Sequence, residues 1–503
     1  MINPKLTPKQ KALAINLDPD IYGTFAEIGA GQETVRHFFR AGGASQTIAK
    51  AMSAYDKDFS DAIYGKEAKN RYVTQNRLRK MLRYEVSLIE ERLSRENNPG
   101  RKFFSYANTV TTINFDKTMK GHGWVGLRFQ LDEKEDYSEI VFHVKFNEND
   151  TTLQQETLGG LGVNLIYGAF NYADNPRRLI ESLYDDISTD NVEIDMIDFS
   201  GPAFTYVDNR LMSLQLVKNG MTDAVIFNPQ GNNMLPADIL YKKNIFAVRG
   251  SFRPVTLVNI DMFEKGLEMF MKDSECSIDE KEVLFEITIS NLRASGDIDE
   301  RDFLDRVDVL AKLGYTVIIS NFSEYFRLID YFANYTSGEI GVAMGVNNLL
   351  DVFDENYYKN LSGGILEAFG KFFRKDMTVY LYPYKDAETG ERLDSNNLKV
   401  HDNLKELYKY FKLNDHKNVI LNLNKFIELD STQSEIFYRR GYSKLMIKDY
   451  QSSVQDFNKA LLLLPKDPKS LFNKAFALHE IAKNDEAIEC LNQLIELEPN
   501  EFE

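Results

Sequence analysis

Two patterns of hydrophobic and polar positions alternate along the first 384 of the 503 residues. In one pattern, short apolar or alternating runs are bounded by polar turns, which predicts strands. In the other, apolar residues recur every three or four positions, which predicts amphipathic helices. The stretch 73–93 shows this helical spacing with Leu78, Met81, Leu82 and Val86. The alternation of the two patterns predicts a fold of the α/β class.

The region before residue 150 combines a strand, a helix and a group of strands. Residues 22–29 are expected to form a short strand, and a helix is expected to begin near Gln32 and to end at Gly42. Three strand-like runs then follow between polar turns, at 108–115, 124–131 and 140–146. Such closely spaced runs predict an antiparallel meander, placed at an edge of the main body or as a lid on it.

Eight β-rich runs occur between residues 160 and 384, most of them separated by helical stretches. The runs are 163–170, 192–199, 224–228, 245–250, 283–289, 316–320, 341–345 and 378–382. Strands that alternate with helices pair in parallel through right-handed crossovers. The sequence therefore predicts eight mainly parallel strands, in a (β/α)8-barrel-like fold or in a doubly wound sheet.

The C-terminal region repeats with a period of 34 positions, which aligns Gly441 with Ala475 and Pro465 with Pro499. That is the period of a tetratricopeptide (TPR) repeat, a helical hairpin that buries its apolar face by stacking on a neighbour. We expect about six helices over 404–500, with the small residues Gly441 and Ala475 at close helix crossings. The stacked hairpins would present a surface for a protein partner.

These patterns predict five segments. They are an N-terminal α/β segment at 1–102, the antiparallel meander at 103–150, the repeated β–α body at 151–384, a polar linker at 385–403 and the TPR repeats at 404–503.

Composition and charge narrow the possible functions. The formal net charge of −16 argues against nucleic acid as a partner, because such binding depends on clustered Lys and Arg. The two cysteines, Cys276 and Cys490, lie far apart, which excludes a disulfide framework and a CxxC site. No run approaches the roughly 20 apolar residues of a membrane helix, and the first residues lack the apolar core of a signal peptide. We therefore expect a cytoplasmic protein without a membrane span.

Common catalytic motifs do not identify a site. The six histidines do not occur at the i, i+4 spacing of a zinc-binding helix, so no metal site is predicted. No P-loop, GxSxG elbow or kinase signature is present. The sequence does not indicate a cofactor.

Candidate site residues follow from the rule that ligands of parallel α/β folds bind beyond the carboxyl ends of the strands. Polar residues follow the predicted strands, and we assign to an anion-binding site Arg249, Arg253, Asn291, Arg293, Asn321 and Asn347. Gly363 and Gly364 precede a predicted helix whose N-terminal N–H groups would favour an anion. The alternative is ordinary turn chemistry, because Asn, Ser and Gly are common in turns.

Arg249 and Arg253 are the central pair of this site. Gly250 lies between them directly after a predicted strand, so the two guanidinium groups are expected to grip a phosphate or carboxylate together. The alternative is that the arginines form salt bridges, with Arg249 or Arg293 neutralising Glu286.

Two carboxylates are candidates for catalytic proton transfer. Glu286 lies in the middle of a predicted strand, where an inward-facing carboxylate must be paired or protonated. Asp198 follows Asp195 by three positions, so strand alternation places these two on opposite faces. Only one of them is then expected to share a site with Glu286.

Several stretches resemble a large bacterial family of uncharacterised proteins. They are Tyr22-Gly-Thr-Phe-Ala-Glu-Ile-Gly-Ala-Gly-Gln-Glu, Ser53-Ala-Tyr-Asp56 and Asp208-Asn-Arg-Leu-Met-Ser-Leu-Gln-Leu-Val217, and the resemblance spans most of 17–384. Members often carry automatic labels, among them nicotinate (nicotinic acid) mononucleotide adenylyltransferase and TonB-dependent receptor. The receptor label implies an export signal and many amphipathic strands, which this sequence does not show.

The adenylyltransferase label implies a transferase that binds a nucleotide. Gly250-Ser-Phe-Arg-Pro254 is similar to the start of that enzyme family's nucleotide motif. Thr256 and Asn259 stand where the family has its two catalytic histidines.

The sequence thus supports an α/β enzyme-like domain that binds a small anionic ligand, of the nucleotide or sugar-phosphate kind, joined to a TPR arm that recruits a protein. A divergent adenylyltransferase without the usual histidines is one alternative. The other is a non-catalytic scaffold or sensor that uses the TPR surface for protein–protein interaction. Convergence of the strand-end residues on one pocket would favour ligand binding, and their dispersal would favour the scaffold.

Overall fold

The computed structural model describes residues 5–67, 71–93, 95–274, 280–294, 296–372, 377–385, 392–393, 404–405, 427, 432–446 and 448–497. These residues form a mixed α/β structure with two mixed sheets and a C-terminal helical region. Contacts divide the chain into two compact units. The first is Met1–Tyr241, Arg249–Asn259 and Glu282–Ser323, and the second is Lys242–Val248, Ile260–Lys281 and Glu324–Glu503. The five predicted segments stay predictions.

The described strands are β1 (Ile21–Ile28), β2 (Ile48–Met52), β3 (Lys102–Thr111), β4 (His122–Phe129), β5 (Ser138–Phe146), β6 (Val192–Ser200), β7 (Ala224–Phe227), β8 (Asn233–Met234), β9 (Asn244–Arg249), β10 (Lys281–Thr288), β11 (Thr316–Ser320), β12 (Ile340–Gly345), β13 (Met377–Tyr382), β14 (Tyr384–Lys385) and β15 (Arg392–Leu393). The described helices are α1 (Pro8–Asn16), α2 (Glu33–Ala41), α3 (Lys57–Tyr64), α4 (Gln75–Arg92), α5 (Thr151–Asn171), α6 (Pro176–Leu183), α7 (Asn209–Lys218), α8 (Pro236–Leu240), α9 (Leu257–Asp273), α10 (Ile289–Arg293), α11 (Glu300–Lys312), α12 (Tyr325–Ala333), α13 (Val346–Val352), α14 (Gly364–Phe372), α15 (Ser434–Met446), α16 (Tyr450–Leu463), α17 (Pro468–Glu480) and α18 (Asn484–Leu497).

The first sheet belongs to the first unit and has the strand order β2-β1-β3-β4-β5-β6. β1 pairs in parallel with β2 and β3, and the other neighbours pair antiparallel. The predicted meander corresponds to β3, β4 and β5. It lies inside the sheet rather than at an edge or as a lid, because β1 and β6 extend the sheet on either side of it.

Helices cover both faces of the first sheet. Phe25 and Ala26 are adjacent on β1 and belong to different buried clusters, as alternation along a strand requires. The cluster on the Ala26 side contains Leu78, Met81 and Leu82 of α4. The cluster on the Phe25 side contains residues of α1, α2, α5 and α6. The central strands therefore contribute apolar side chains to two hydrophobic cores, one on each face of the sheet.

The run 163–170, predicted as a strand, lies inside α5. Most of this helix is buried, so the polar positions that mark a helical period are missing and the run has the pattern of a buried strand. Gly162 lets α5 approach α2 closely, because an added Cβ would come 2.4 Å from Thr34 Oγ1 and 2.6 Å from the Tyr106 hydroxyl. The strand prediction is wrong at this position.

The first unit also contains a second group of strands, β7, β8, β10 and β11. β10 pairs in parallel with β11, whereas β7 pairs antiparallel with β11 and with β8. β6 lies in the first sheet. The runs between 160 and 384 therefore do not form eight parallel strands. β7 is buried throughout, and a strand buried on both faces has the same pattern in either direction.

The second unit contains three parallel strands in the order β13-β12-β9. Phe246 on β9 packs its ring 5.4 Å from that of Phe270 and 5.8 Å from that of Tyr380, measured between centroids. Gly341 on β12 makes room for these rings, because an added Cβ would come 2.6 Å from Phe270. The barrel-like or doubly wound arrangement predicted for 151–384 is not confirmed.

The C-terminal helices α15 to α18 stack in sequence as two hairpins. Gly441 on α15 meets Phe457 on α16, where an added Cβ would come 3.0 Å from the ring. Ala475 on α17 is buried in a cluster with Ala487 and Leu494 of α18. Both small residues thus lie at helix crossings, as predicted. The hairpin predicted from about residue 404 and most of the predicted linker lie outside the described residues.

Candidate functional site

Glu286 forms a bidentate ion pair with Arg249. Its side chain on β10 is fully buried, and it accepts from Arg249 Nε at 2.6 Å and from Nη2 at 2.9 Å. The Ser320 hydroxyl donates to the same carboxylate at 2.5 Å. Arg249 also donates to the carbonyl of Ser323 at 3.1 Å. A bidentate pair satisfies both charged groups, so the geometry corresponds to the neutralising salt bridge that the sequence left as the alternative.

Arg253, which is half exposed, pairs with a different carboxylate. Its Nε lies 2.9 Å from Asp302 Oδ1, and 49% of its side chain is exposed, against 7% for Arg249. Asp302 also forms a salt bridge with the guanidinium of Arg306. The two arginines of the predicted clamp are thus held by separate carboxylates. The clamp stays a prediction, and it requires a ligand that displaces at least one of them.

Three of the other predicted site residues lie at the ends of β10, α10 and β11 in the first unit. Asn291 closes a capping box with Thr288, whose N–H and hydroxyl donate to Asn291 Oδ1 at 3.2 and 2.9 Å. Arg293 is exposed at the end of α10, and Asn321 is exposed directly after β11. Helix capping, the ordinary alternative, accounts for the position of the Asn291 side chain.

Asn347, Gly363 and Gly364 belong to the second unit. Asn347 is exposed on α13. Gly364 begins α14 with φ at 55°, and the N–H of Gly363 donates to the Glu367 carboxylate at 3.0 Å. This N–H bond lowers the pKa of Glu367. A carboxylate of the chain itself thus accepts the N–H that was predicted to bind a ligand anion.

A polar cavity of the first unit surrounds Asp198. Its volume is about 550 Å³. The charged and amide side chains of its lining include Arg79, Asp198, Asp208, Asn209, Arg210 and Asn233. Cavities of a few hundred Å³ with convergent polar groups are typical binding sites for small molecules.

Asp198 is the central carboxylate of this cavity. Arg79 reaches it from α4, with Nη2 at 2.5 Å from Oδ2, and Asn209 Nδ2 donates to Oδ1 at 3.0 Å. Arg79 also pairs with Glu139 on β5. Burial raises the pKa of Asp198 and outweighs the lowering by Arg79. Because Asp198 lines a cavity and Glu286 is closed off by Arg249, Asp198 is the better placed of the two carboxylates to exchange a proton with a ligand.

The start of α7 holds the lining in place. Asp208 caps this helix by accepting from the N–H of Arg210 at 2.9 Å, and it binds the Arg210 guanidinium at 2.7 Å. Asn209 exchanges two hydrogen bonds with the backbone of Phe199 at 2.8 and 3.0 Å, which fixes the end of β6 to α7. Asn233 donates to the β6 backbone at 2.8 Å, and its Oδ1 is buried without a hydrogen-bond partner among the described residues.

The sequence indicates Asp198 but does not indicate Arg79, Asn209 and Arg210 as members of its site. Asp208-Asn-Arg210 was available as a signal, since an N-cap residue followed by polar groups begins the stretch that carries the family resemblance. No local signal indicates Arg79, which lies 119 positions from Asp198.

A β-bulge changes the face on which Asp195 lies. The residues of β6 that pair with β5 pass from Met196 directly to Ile194, so Asp195 is an additional residue. The Asp195 carboxylate lies 2.7 Å from Nδ1 of His143. His143 pairs with Met196 and therefore shares a face with Met196 and Asp198. The prediction that Asp195 and Asp198 lie on opposite faces is wrong, because it assumed an unbroken pleat.

Asp195 lies inside a chain of polar side chains whose central members, Asp195 and His143, are buried. Lys145 Nζ lies 2.9 Å from Asp195, and His122 Nδ1 lies 3.2 Å from Nε2 of His143. Burial opposes ionisation of Asp195, but Lys145 and His143 outweigh it and lower the pKa of Asp195. Burial and His143 lower the pKa of His122 to about 4. In the part of the chain that the structure describes, no group of three or more His, Cys, Asp and Glu side chains is arranged to hold a metal ion.

None of the described helices is both long and apolar enough to span a bilayer.

Comparison with known proteins identifies the C-terminal repeat. Residues 468–501 match the family model of the tetratricopeptide repeat. The comparison with curated proteins gives no match. Among solved structures, a crystal structure of MamA is 22% identical, with a TM-score of 0.18, and covers 20% of this chain and 61% of its own. The first TPR of Spaghetti (RPAP3), bound to an HSP90 peptide, is 25% identical, with a TM-score of 0.18, and covers 20% of this chain and 85% of its own.

The chain thus spans 61% of the MamA chain that it matches. The family match lies on α17 and α18, the second of the two described hairpins. This protein therefore has a C-terminal TPR repeat, and a TPR domain suggests protein–protein interaction.

Proposed function

We propose that the first unit binds a small polar ligand in the cavity around Asp198 and that the TPR region recruits a protein partner. The observation that carries the ligand proposal is the position of Asp198, a carboxyl of raised pKa held by Arg79 and Asn209 on the wall of a cavity of about 550 Å³. The second half of the proposal rests on the TPR repeat.

We infer a ligand of the sugar-phosphate or nucleotide kind from the mixture of charges in the lining. Arg79 pairs with Asp198 and Arg210 pairs with Asp208, and each arginine also pairs with a second carboxylate, Arg79 with Glu139 and Arg210 with Asp308. The carboxylates of Asp198 and Asp208 suit the hydroxyl groups of a sugar. An anionic group would bind best with Asp198 protonated, because the guanidinium of Arg79 is then less fully opposed. We therefore expect proton uptake when an anionic ligand binds.

A transferase is one form of this function, with Asp198 carrying the proton that moves during the reaction. The divergent adenylyltransferase is a narrower form. At the two positions where that family has histidines, the hydroxyl of Thr256, directly before α9, donates to Asn259 Oδ1 in the first turn of α9 at 2.8 Å. That contact favours a helix cap over phosphate chemistry at these positions.

The non-catalytic scaffold is the second candidate function. The closed pair of Arg249 with Glu286 favours it, because the strongest anion site that the sequence predicted is occupied by a carboxylate of the protein itself. In this case the cavity at Asp198 would bind no metabolite, and the TPR region alone would provide the function.

Calorimetric titration of hexose phosphates, nucleoside monophosphates and their unphosphorylated counterparts tests the ligand proposal. Each compound is titrated into the wild-type chain, Asp198→Asn, Arg79→Gln and a control, Asp305→Asn, which alters an exposed carboxylate of α11. A hydrogen bond to a charged group contributes about 1.5–3 kcal/mol, so loss of Arg79 should weaken binding about ten- to a hundredfold. The control should bind like the wild type.

Two results would count against the cavity. Equal affinity for all four proteins would place the ligand elsewhere. The absence of binding by every compound would leave the scaffold as the better function.

A further inference from the structure

The last two described helices expose large apolar side chains. On α18, Ile488, Leu491 and Ile495 are 55%, 38% and 46% exposed, and on α17 Phe472 is 51% exposed. Spacings of three and four positions place the α18 side chains in one row along the helix. We call these four residues the end face.

The preceding repeat shows what such residues pack against. The equivalent side chains 34 positions earlier are Tyr438, Val454, Phe457 and Leu461. Phe457 is fully buried, and the other three are partly buried against the same clusters. The residues of α17 in these clusters are Leu471, Ala475, Ala477 and Leu478. In the preceding repeat, therefore, a neighbouring helix covers the four positions.

The same four positions are covered in one repeat and exposed in the next. TPR repeats bury their apolar face only by stacking, so the end face continues an interface that α17 already makes with α16. Among the α17 residues of that interface, the small residue Ala477 is buried in one cluster with Phe457. A further helix with a small side chain at the corresponding position has the shape that the end face requires.

Acidic residues beside the row of apolar side chains on α18 indicate the charge of the helix that would cover the end face. Glu489 and Glu496 directly follow Ile488 and Ile495, and Asp485 lies one turn before Ile488; all three acidic residues are exposed. α18 contains no Lys or Arg, and the whole chain carries a net charge of −16. Electrostatic complementarity favours a basic partner and disfavours an acidic one.

We propose that the end face docks a basic amphipathic helix of a partner protein. The helix places apolar and small side chains against Phe472, Ile488, Leu491 and Ile495, and Lys or Arg side chains beside the acidic edge of α18. This inference rests on the docking role proposed for the TPR region and is independent of the cavity at Asp198.

The sequence of α17 itself supplies a probe. A helix-stabilised, fluorescently labelled peptide with the sequence Pro468–Glu480 has the residues that cover the equivalent face in the preceding repeat, and it carries Lys469 and Lys474. Its affinity for the full chain is measured by fluorescence anisotropy. A second peptide with Lys469→Glu and Lys474→Glu tests the charge, and the difference between the peptides should shrink at high salt.

The variants of the full chain are Ile488→Asp and Leu491→Asp, with Ile488→Gln as a milder change. The matched control is Leu462→Asp, which alters a leucine on α16 that is 77% exposed and outside the end face. Central apolar contacts of an interface contribute about 2 kcal/mol or more, so each aspartate should weaken binding about thirtyfold. The control should bind within about twofold of the wild type, and circular dichroism checks that every variant is folded.

Other outcomes would overturn the inference. Equal peptide affinity for the wild type and the end-face variants, or no peptide binding at all, would exclude the end face as the docking surface. Self-association that Ile488→Asp abolishes in analytical ultracentrifugation would identify a second copy of the chain as the occupant. Binding that is lost in Tyr442→Ala but retained in the end-face variants would preserve the docking role and assign it to another TPR surface.

Discussion

Replacement of Arg249 by methionine tests whether the Arg249–Glu286 pair supports the fold or serves a ligand. The two hypotheses predict opposite results. A ligand clamp predicts that the variant folds like the wild type and loses only binding. The structure predicts a loss of stability, because Glu286 is fully buried and accepts two hydrogen bonds from Arg249.

The magnitude follows from what Glu286 retains in the variant. The Ser320 hydroxyl at 2.5 Å still donates to it, but the compensating charge is gone. Removal of one partner of a buried ion pair costs about 3–5 kcal/mol. Removal of both charges, in Arg249→Met with Glu286→Leu, should be less destabilising than the sum of the single changes, since no uncompensated buried charge remains.

Urea denaturation followed by tryptophan fluorescence measures these changes. Trp124 is the only tryptophan of the chain and is buried in the first sheet of the same unit. Arg253→Met is the matched control, because the Arg253 side chain is 49% exposed and a salt bridge made by such an exposed group contributes about 0–1 kcal/mol. If Arg249→Met unfolds at the same urea concentration as Arg253→Met, the pair is not structural and the clamp becomes the better explanation.

Three further predictions concern the cavity, the first core and the TPR repeat. Because burial raises the pKa of Asp198, binding of a hexose phosphate should weaken by up to about tenfold per pH unit as the pH rises through that pKa; calorimetry across pH should show this dependence in the wild type and not in Asp198→Asn. Gly162→Val should destabilise the first unit by about 1–3 kcal/mol, because its side chain would overlap Thr34, and an unchanged urea midpoint would contradict the close contact of α5 with α2. Gly441→Leu should speed hydrogen exchange in α15 and α16 by displacing Phe457, and unchanged exchange would show that the repeat register is wrong.

The sequence by itself determined the features that depend on local pattern. The period of 34 positions by itself aligns Gly441 with Ala475, because stacked repeats place equivalent residues in equivalent surroundings. Most β-rich runs are strands for a similar reason: alternation and β-branched composition reflect the burial of each residue by its neighbours. Asp198 was identified as a site residue from its position near the end of such a run.

Some sequence patterns are compatible with more than one fold, and in those segments only the tertiary structure decided the element that forms. The run 163–170 is apolar except for Asn164, which is itself buried, so the sequence does not distinguish a buried helix from a buried strand. The residues of β7 do not show whether the strand runs parallel or antiparallel to its neighbours, because all of them are buried. The bulge at Asp195 reversed the alternation on which its predicted face depended.

The partners of the charged residues were also decided by the tertiary structure. Arg249 and Glu286 are 37 positions apart, and Arg79 and Asp198 are 119 apart. The sequence shows that each of these residues needs a partner once it is buried. It does not show which one, because the strength of an ion pair depends on a distance of a few ångströms that the fold alone sets.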